Sequence, residues 1–234
     1  MSTPFDLSDL LQDFPGRVPL FPLPDVVHFP HILLPLHIFE PRYREMVADA
    51  LAEDRLLAMA LLKPGWESTV GGKTAEIHNI VCVGRITAEE QFPDGRYFLV
   101  LQGLSRARVI DEEQADVPYR VGRLELCSDH YPDQPVIDRE HRRSELLAGF
   151  HDLFPYLDLD QIFHEALDSS VPLGVLCDVL AHAMRLDPSM TQEFLEETGI
   201  DLRSDLLLRR LRELTEIKRR QTSNREFPPK FSEN

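Results

Sequence analysis

The segment Gly71–Gly72–Lys73–Thr74 resembles the end of a phosphate-binding loop. A complete loop of that kind has another glycine five positions before the glycine that precedes the lysine, and this chain has Glu67 there. A carboxylate at that position would repel a phosphate, and no predicted strand leads into a helix that opens at Lys73. We therefore interpret the segment as a loop with turn glycines, and we predict that the chain uses no nucleotide or other cofactor.

Three histidines, His28, His31 and His37, lie close together in the sequence. They fall in a segment that prolines interrupt, and no cysteine accompanies them, whereas zinc sites usually present three or four defined ligands. We predict imidazoles at the surface or half-buried, and no metal site. The three cysteines, Cys82, Cys127 and Cys177, form no CxxC pair. Their odd number predicts reduced thiols, and the apolar surroundings of Cys82 and Cys177 predict buried small side chains rather than nucleophiles.

Hydrolase motifs are missing from the sequence. It contains no G-x-S-x-G elbow and no H-E-x-x-H pair. A serine–lysine dyad would need one of four lysines, Lys63, Lys73, Lys218 or Lys230, and none has the apolar surroundings that lower a lysine pKa. We assign no catalytic residue.

The 234 residues include 40 acidic and 25 basic side chains, a net charge of −15. This balance disfavours nucleic acid as a partner, because phosphate binding needs a basic surface. Basic residues cluster only near the end, at Arg209, Arg210, Arg212, Lys218, Arg219 and Arg220, where a solvated helix face is the preferred interpretation. No apolar run approaches the roughly 20 residues of a membrane span, and the N-terminus lacks the features of a signal peptide. We therefore expect a cytoplasmic protein without membrane association.

The order of the predicted elements indicates an α+β fold. Prolines divide residues 17–39 into short extended pieces, and a helix is predicted over 41–53. Short strands follow at 56–62, 80–86, 97–101, 106–110 and 119–126, with a Pro93–Asp94–Gly95 hairpin turn between two of them. Helical patterns follow at 138–154, 160–169, 172–185, 189–198 and 201–220. We predict a helical lead over 1–16, a β-barrel subdomain over 17–130, a helical subdomain over 131–220 and a mobile tail over 221–234.

Several segments resemble the N-terminal, substrate-binding domain of Lon-type ATP-dependent proteases. They are VPLFPLPDVVHFP at 18–30, LPLHIFEPRY at 34–43, VGRI at 83–86, PDGRY at 93–97, QGLSRARV at 102–109, LDP at 186–188 and QEFLE at 192–196. The resemblance implies a PUA-like β pseudobarrel followed by a C-terminal α-helical bundle, in a region that helps Lon proteases to select unfolded or damaged proteins. The chain ends after this region, so the resemblance implies neither the ATPase nor the serine–lysine peptidase activity. We expect that the chain is not an enzyme.

Within the resembling segments, Glu40, Pro41, Arg42 and Tyr43 form a predicted fold-defining corner. We expect the Glu40 carboxylate to accept hydrogen bonds from amides at the helix start, Pro41 to begin the helix, Arg42 to pair with Glu40 or another carboxylate, and Tyr43 to be buried. A ligand site at this corner is the less favoured alternative.

Five apolar side chains are the candidate binding residues: Phe21, Phe29, Leu33, Leu34 and Phe39. Some of them must fill the barrel, and the others would form an exposed patch or strand edge that holds extended peptide. The leading hypothesis is a protein-binding module whose partners are proteins or peptides, such as unfolded clients or a separate protease. The alternatives are an RNA-binding PUA-like protein, by analogy of fold, and an unrecognised hydrolase.

Overall fold

The structure is a computed structural model that describes residues 7–68, 75–157 and 171–225. Its strands are β1 (Arg17–Leu23), β2 (Leu33–Ile38), β3 (Leu56–Leu61), β4 (Ile80–Gln91), β5 (Tyr97–Glu113) and β6 (Arg120–Cys127). Helix α1 (Pro41–Ala52) lies between β2 and β3, and short 3₁₀ helices occur at Ser8–Leu11 and Trp66–Ser68. The Gly71–Thr74 loop lies outside the described residues.

Four helices follow the strands: α2 (Arg139–Leu153), α3 (Leu173–Ala183), α4 (Pro188–Glu196) and α5 (Ile200–Arg225). Asp138 caps α2 by accepting from the amides of Glu140 and His141, and Asp187 caps α4 in the same way from Ser189. Helix α5 continues five residues past its predicted end at 220, into the first residues of the predicted tail. The predicted helix at 160–169 and residues 226–234 lie outside the described part of the chain.

Five strands form a closed ring, because β5 pairs with both β4 and β6 while β3 and β1 connect the other sides. Strand β2 lies outside this ring and pairs antiparallel with the first half of β5, from Leu33 opposite Gln102 to Ile38 opposite Tyr97. The ring interior is apolar and includes Val18, Ala58, Val83, Ala107 and Leu124, one from each ring strand. Closure pairs the strand edges that would otherwise promote aggregation.

Strand β5 is one strand of 17 residues where the sequence predicted two, at 97–101 and 106–110. The predicted break covers residues 102–105, which include Gly103. Gly103 instead allows a close backbone approach: a Cβ atom there would lie 2.0 Å from the Phe29 carbonyl oxygen. Its amide donates to the Ile32 carbonyl, and its own carbonyl accepts from the His31 amide.

The hairpin turn between β4 and β5 is confirmed. Gly95 has φ of +82°, its amide donates to the Phe92 carbonyl at 2.9 Å, and the Asp94 side chain accepts from the Arg96 amide. The sheet therefore turns where the Pro-Asp-Gly chemistry predicts.

Two further apolar clusters flank the ring. Helix α1 buries Tyr43, Met46, Val47 and Ala50 against strands β1 to β5. Helices α2 to α5 pack around a larger cluster that also includes Phe29, Ile32, Ile80 and Cys82 from the strand half of the chain. The strand half and the helical half therefore share one apolar interface, and the predicted α+β class is confirmed.

Candidate functional site

The five candidate binding residues divide into buried and exposed side chains. Phe21 and Phe29 are buried, Phe21 under α1 and Phe29 against the helices, so these two belong to the part of the set that fills the interior. Leu34 is half-buried beside α1. Leu33 and Phe39 are 58% and 63% exposed. Within β2, alternation explains why Leu33 is exposed and Leu34 is half-buried, because successive side chains of a strand point to opposite faces.

Apart from His37, the outward side of β2 is apolar. Leu33 and Pro35 are exposed on it, and Phe39 follows directly after the strand. Phe98 on the adjacent β5 is 42% exposed and lies opposite His37, while Val100 lies opposite Pro35. We call the surface formed by Leu33, Pro35, Phe39 and Phe98 the β2 face. Large apolar side chains gathered on one exposed strand pair are typical of interaction surfaces.

Strand β2 has β5 on one side and no other strand among those that the structure describes. Because the Ile32 carbonyl bonds to Gly103 on β5, alternation directs the backbone groups of Leu33, Pro35 and His37 towards the open edge. Pro35 has no amide hydrogen, so one donor is missing from the middle of that edge. The side-chain surface of β2 is therefore better suited to bind another chain than its backbone edge.

The corner at Glu40–Tyr43 has internal contacts. The Glu40 carboxylate contacts Arg42, at 3.0 Å from Nε and 2.9 Å from Nη2, and makes no capping hydrogen bond, so the capping expectation is wrong. Pro41 begins α1 as predicted. Arg42 lies over the Tyr43 ring, and the buried Tyr43 packs on Phe21 with ring centroids 4.5 Å apart. These contacts hold α1 on β1, next to the β2 face.

The three clustered histidines have separate environments. His28 is fully buried, which corrects the predicted surface or half-buried position, and neither ring nitrogen has a hydrogen-bond partner. Burial, together with the nearby His182, lowers the pKa of His28 to about 3. His37 is exposed on β2 with an edge-on contact to Phe92, and His31 lies in a cleft between the sheet and the helices. Over the described residues, no group of His, Cys, Asp and Glu is suited to hold a metal ion.

The cysteines are free thiols. Burial raises the pKa of Cys177 to about 12 and raises that of Cys82 as well, so both are poor nucleophiles. Cys127 is half-buried at the end of β6.

Two arginines and two aspartates form an ionic cluster between the strand half and the helical half, and all of them except the partly exposed Asp129 are buried. Arg106 on β5 contacts Asp178 on α3 through Nη2 at 2.6 Å, and its Nε donates to the Leu195 carbonyl. Arg203 on α5 contacts the same Asp178 at 3.0 Å, and also Asp129 at 2.5 Å. Burial alone would lower the pKa of Arg203, but the two carboxylates outweigh it and raise that pKa. The cluster therefore joins β5, α3 and α5 with balanced charge.

We did not identify this cluster from the sequence. A signal was present, since Asp178 is the only acidic or basic residue in helix α3 apart from His182, and a charge amid apolar residues requires a partner. Arg106 also lies within the QGLSRARV segment of the resemblance. The partners themselves are 72 residues apart, so spacing alone does not pair them.

A cleft of about 430 Å³ opens between β5, β6 and α3. Its walls combine apolar side chains, including Leu104, Leu126 and Val175, with the polar groups of Arg106 and Asp129. Two leucines of the N-terminal 3₁₀ segment, Leu7 and Leu11, complete the wall.

Several basic residues of α5 have partners within the chain. Arg210 pairs with Glu213, Arg212 with Glu145, and Lys218 donates to the carbonyl oxygens of Asp152 and Leu153. The preferred interpretation of a solvated helix face therefore agrees with these contacts. No helix of the described residues combines the length and apolarity needed to cross a membrane.

Comparison with known proteins agrees with the resemblance noted in the sequence. The chain is 29% identical over 192 residues to the Lon protease of Dictyoglomus thermophilum, covering 81% of this chain and 23% of that protein. It is 27% identical over 234 residues to the Lon protease of Syntrophus aciditrophicus, covering 93% and 27%. The chain thus spans about a quarter of the length of these curated relatives.

Two solved structures have a similar fold. The Lon N-terminal domain protein from Xanthomonas campestris matches with a TM-score of 0.59 at 23% identity, over 82% of this chain and 96% of that one. The N-terminal domain of the Mycobacterium avium complex Lon protease matches with a TM-score of 0.62 at 16% identity, over 86% and 98%. The sequence model of the ATP-dependent protease La (LON) substrate-binding domain matches residues 17–213, and the chain therefore belongs to that family.

Proposed function

We propose that this chain is a non-catalytic polypeptide-binding module that holds exposed apolar segments of other proteins on the β2 face. The observation that carries the proposal is the exposure of Leu33 and Phe98 on the β2–β5 strand pair and of Phe39 directly after β2. Family membership supports a substrate-binding role, and the described residues contain no metal cluster or activated thiol that would suggest chemistry.

The size of the face favours weak, reversible binding. Two half-exposed phenylalanines offer roughly 200 Å² of apolar surface, and burying it is worth about 5 kcal/mol. Association costs at least about 4 kcal/mol of lost motional freedom. Contacts from Leu33 and Pro35 add further favourable binding free energy. We therefore expect dissociation constants in the micromolar range or weaker. Such affinity suits a module that samples many unfolded chains rather than one partner.

The missing donor at Pro35 favours side-chain contact over strand addition. A client that added a strand beside β2 would lose one ladder hydrogen bond at this position. Apolar side chains of the client would instead lie on Phe39 and Phe98, where no backbone register is required. We therefore expect selection by apolar content rather than by a fixed sequence.

Further parts of the proposal follow from the resemblance. We propose that the closed ring with β2 is a PUA-like pseudobarrel over 17–130 and that the helices over 131–220 form a bundle. We also propose unfolded clients or a separate protease as partners, in the cytoplasm. The closed strand order and the shared packing of α2 to α5 support the architecture.

The test compares binding to a permanently unfolded polypeptide, reduced and carboxymethylated lactalbumin, with binding to its native form. We expect fluorescence anisotropy to show preference for the unfolded form, and Phe39→Ser with Phe98→Ser to weaken binding at least tenfold. Tyr156→Ser removes another exposed aromatic ring, 77% exposed, and should leave the affinity unchanged. Equal binding of folded and unfolded lactalbumin, or equal affinity of all variants, would contradict the proposal.

A further inference from the structure

The N-terminal segment Leu7–Phe14 covers part of the cleft between the sheet and the helices. Leu7, Leu11 and Phe14 are half-buried and pack against the apolar side chains of the ring, while Leu10 points outwards and is 39% exposed. Leu7 and Leu11 line the cleft itself. The segment therefore contacts the body of the protein in the way that a bound apolar peptide would.

The attachment of this segment is weak by several measures. Its helix is a single 3₁₀ turn of four residues without a side-chain cap. Two of its backbone hydrogen bonds close within the segment, from the Leu10 amide to Leu7 and from the Phe14 amide to Leu11. Its three inward side chains keep part of their surface in water, so their hydrophobic contribution is incomplete.

The cleft also extends beyond the segment that forms part of its wall. About 430 Å³ remains open beside Leu7 and Leu11. This space opens to the surface, so a second chain can enter it beside the segment. Leu104, Leu126 and Val175 supply apolar walls, and the hydroxyl-bearing Ser128 lies at the same cleft. A chain with larger side chains would contact these walls more fully.

We propose that the cleft is a second peptide-binding groove and that Leu7–Phe14 is its displaceable occupant, a strap that an apolar segment with similar spacing replaces. The spacing of the occupant, apolar at positions 7, 11 and 14, defines the class of peptide that fits. This groove is separate from the β2 face, and the inference does not depend on the proposed function of that face.

The test opens the strap in the full chain with Leu7→Ser and Leu11→Ser together, with Leu10→Ser as the matched control on the same turn. The probe is a synthetic peptide of residues 7–16, followed by NMR chemical-shift changes. We expect the double variant to bind this peptide at least tenfold more tightly than the wild type, with shifts at Leu104 and Leu126. The control should behave as the wild type, and a probe peptide with serine at both leucine positions should not bind.

A second readout uses Cys127, which lines the same cleft. Opening the strap should accelerate its alkylation several-fold in the double variant and not in the control. Unchanged alkylation, or absence of peptide shifts in the double variant, would overturn the proposal. In the wild type, the Leu10 and Phe14 amides should exchange with solvent at least 100-fold faster than the Leu124 amide, which donates to Gly16. Equal protection would overturn it even if the double variant failed to fold.

These outcomes separate the two proposals. If the β2-face variants lose lactalbumin binding and the 7–16 peptide does not bind at the cleft, the proposed function of the β2 face would be supported and the strap overturned. If the chain binds the 7–16 peptide at the cleft but does not bind unfolded lactalbumin, the strap would be supported and the proposed function contradicted.

Discussion

Arg106 on β5 donates to both carboxylate oxygens of Asp178 on α3, at 2.9 Å from Nη1 and 2.6 Å from Nη2. Both side chains are almost completely buried, at 2% and 1% exposure. The pair therefore joins the sheet to the helices by a two-point contact. Because the site is buried, an unpaired charge there would be strongly unfavourable.

Asp178→Asn should destabilise the fold by about 3–5 kcal/mol, because it leaves Arg106 and Arg203 buried with only one carboxylate between them. Urea unfolding measures the change. Asp111→Asn is the matched control, since Asp111 pairs with Arg123 at the surface, where an ion pair contributes about 1 kcal/mol or less. Equal losses in the two variants would show that the buried cluster does not stabilise the fold.

Gly103→Ala should destabilise the chain by more than about 2 kcal/mol, because the new methyl group would collide with the Phe29 carbonyl oxygen and push β5 from the chain before β2. Gly149→Ala on α2 is the comparison. Its methyl group would lie 3.6 Å from Leu211, an ordinary contact, so the better helix propensity should stabilise by up to about 1 kcal/mol. Thermal unfolding of both variants distinguishes them, and a neutral Gly103→Ala would contradict the close approach.

His28 should make the fold sensitive to acid. Its folded pKa of about 3 lies below the ordinary value of 6.5, so between these values the unfolded chain binds a proton that the folded chain does not. The contribution of His28 is complete above pH 6.5 and is lost as the pH falls, by about 2 kcal/mol at pH 5. Burial also lowers the pKa values of His31 and His182, so these two residues should add to the acid sensitivity.

Urea unfolding at pH 7, 6 and 5 tests this dependence. His28→Leu should lose less stability on acidification than the wild type, and substituting the exposed His141 with glutamine should leave the dependence unchanged. The same acid sensitivity in His28→Leu would rule out His28 as its source.

The thiols should react in two classes. Cys127 is half-buried, whereas Cys82 and Cys177 are buried with raised pKa values. A chromogenic disulfide reagent should therefore modify one thiol rapidly in the native chain and all three in urea. Rapid reaction of more than one thiol in the native chain would contradict the buried positions.

Local patterns predicted most of the elements. Helix α1 begins at Pro41, the hairpin turns at Gly95, and α4 begins after Asp187, because proline, glycine and a capping aspartate act on the backbone within a few residues. The prediction of two strands failed at β5, because Gly103 allows the Phe29 backbone to lie close to the strand. The capping prediction failed at Glu40, whose carboxylate contacts Arg42 instead of helix amides. In both cases a competing contact outweighed the local preference.

By itself, the sequence determined the α+β class, the family and the candidate apolar residues, since these depend on periodicity, turn chemistry and motifs read along the chain. Only the tertiary structure decided that Phe21 and Phe29 are buried while Leu33 and Phe39 are exposed, and that Arg106 contacts Asp178. Burial and ion pairing depend on which elements pack together, and residues distant along the chain carry no local signal of that packing.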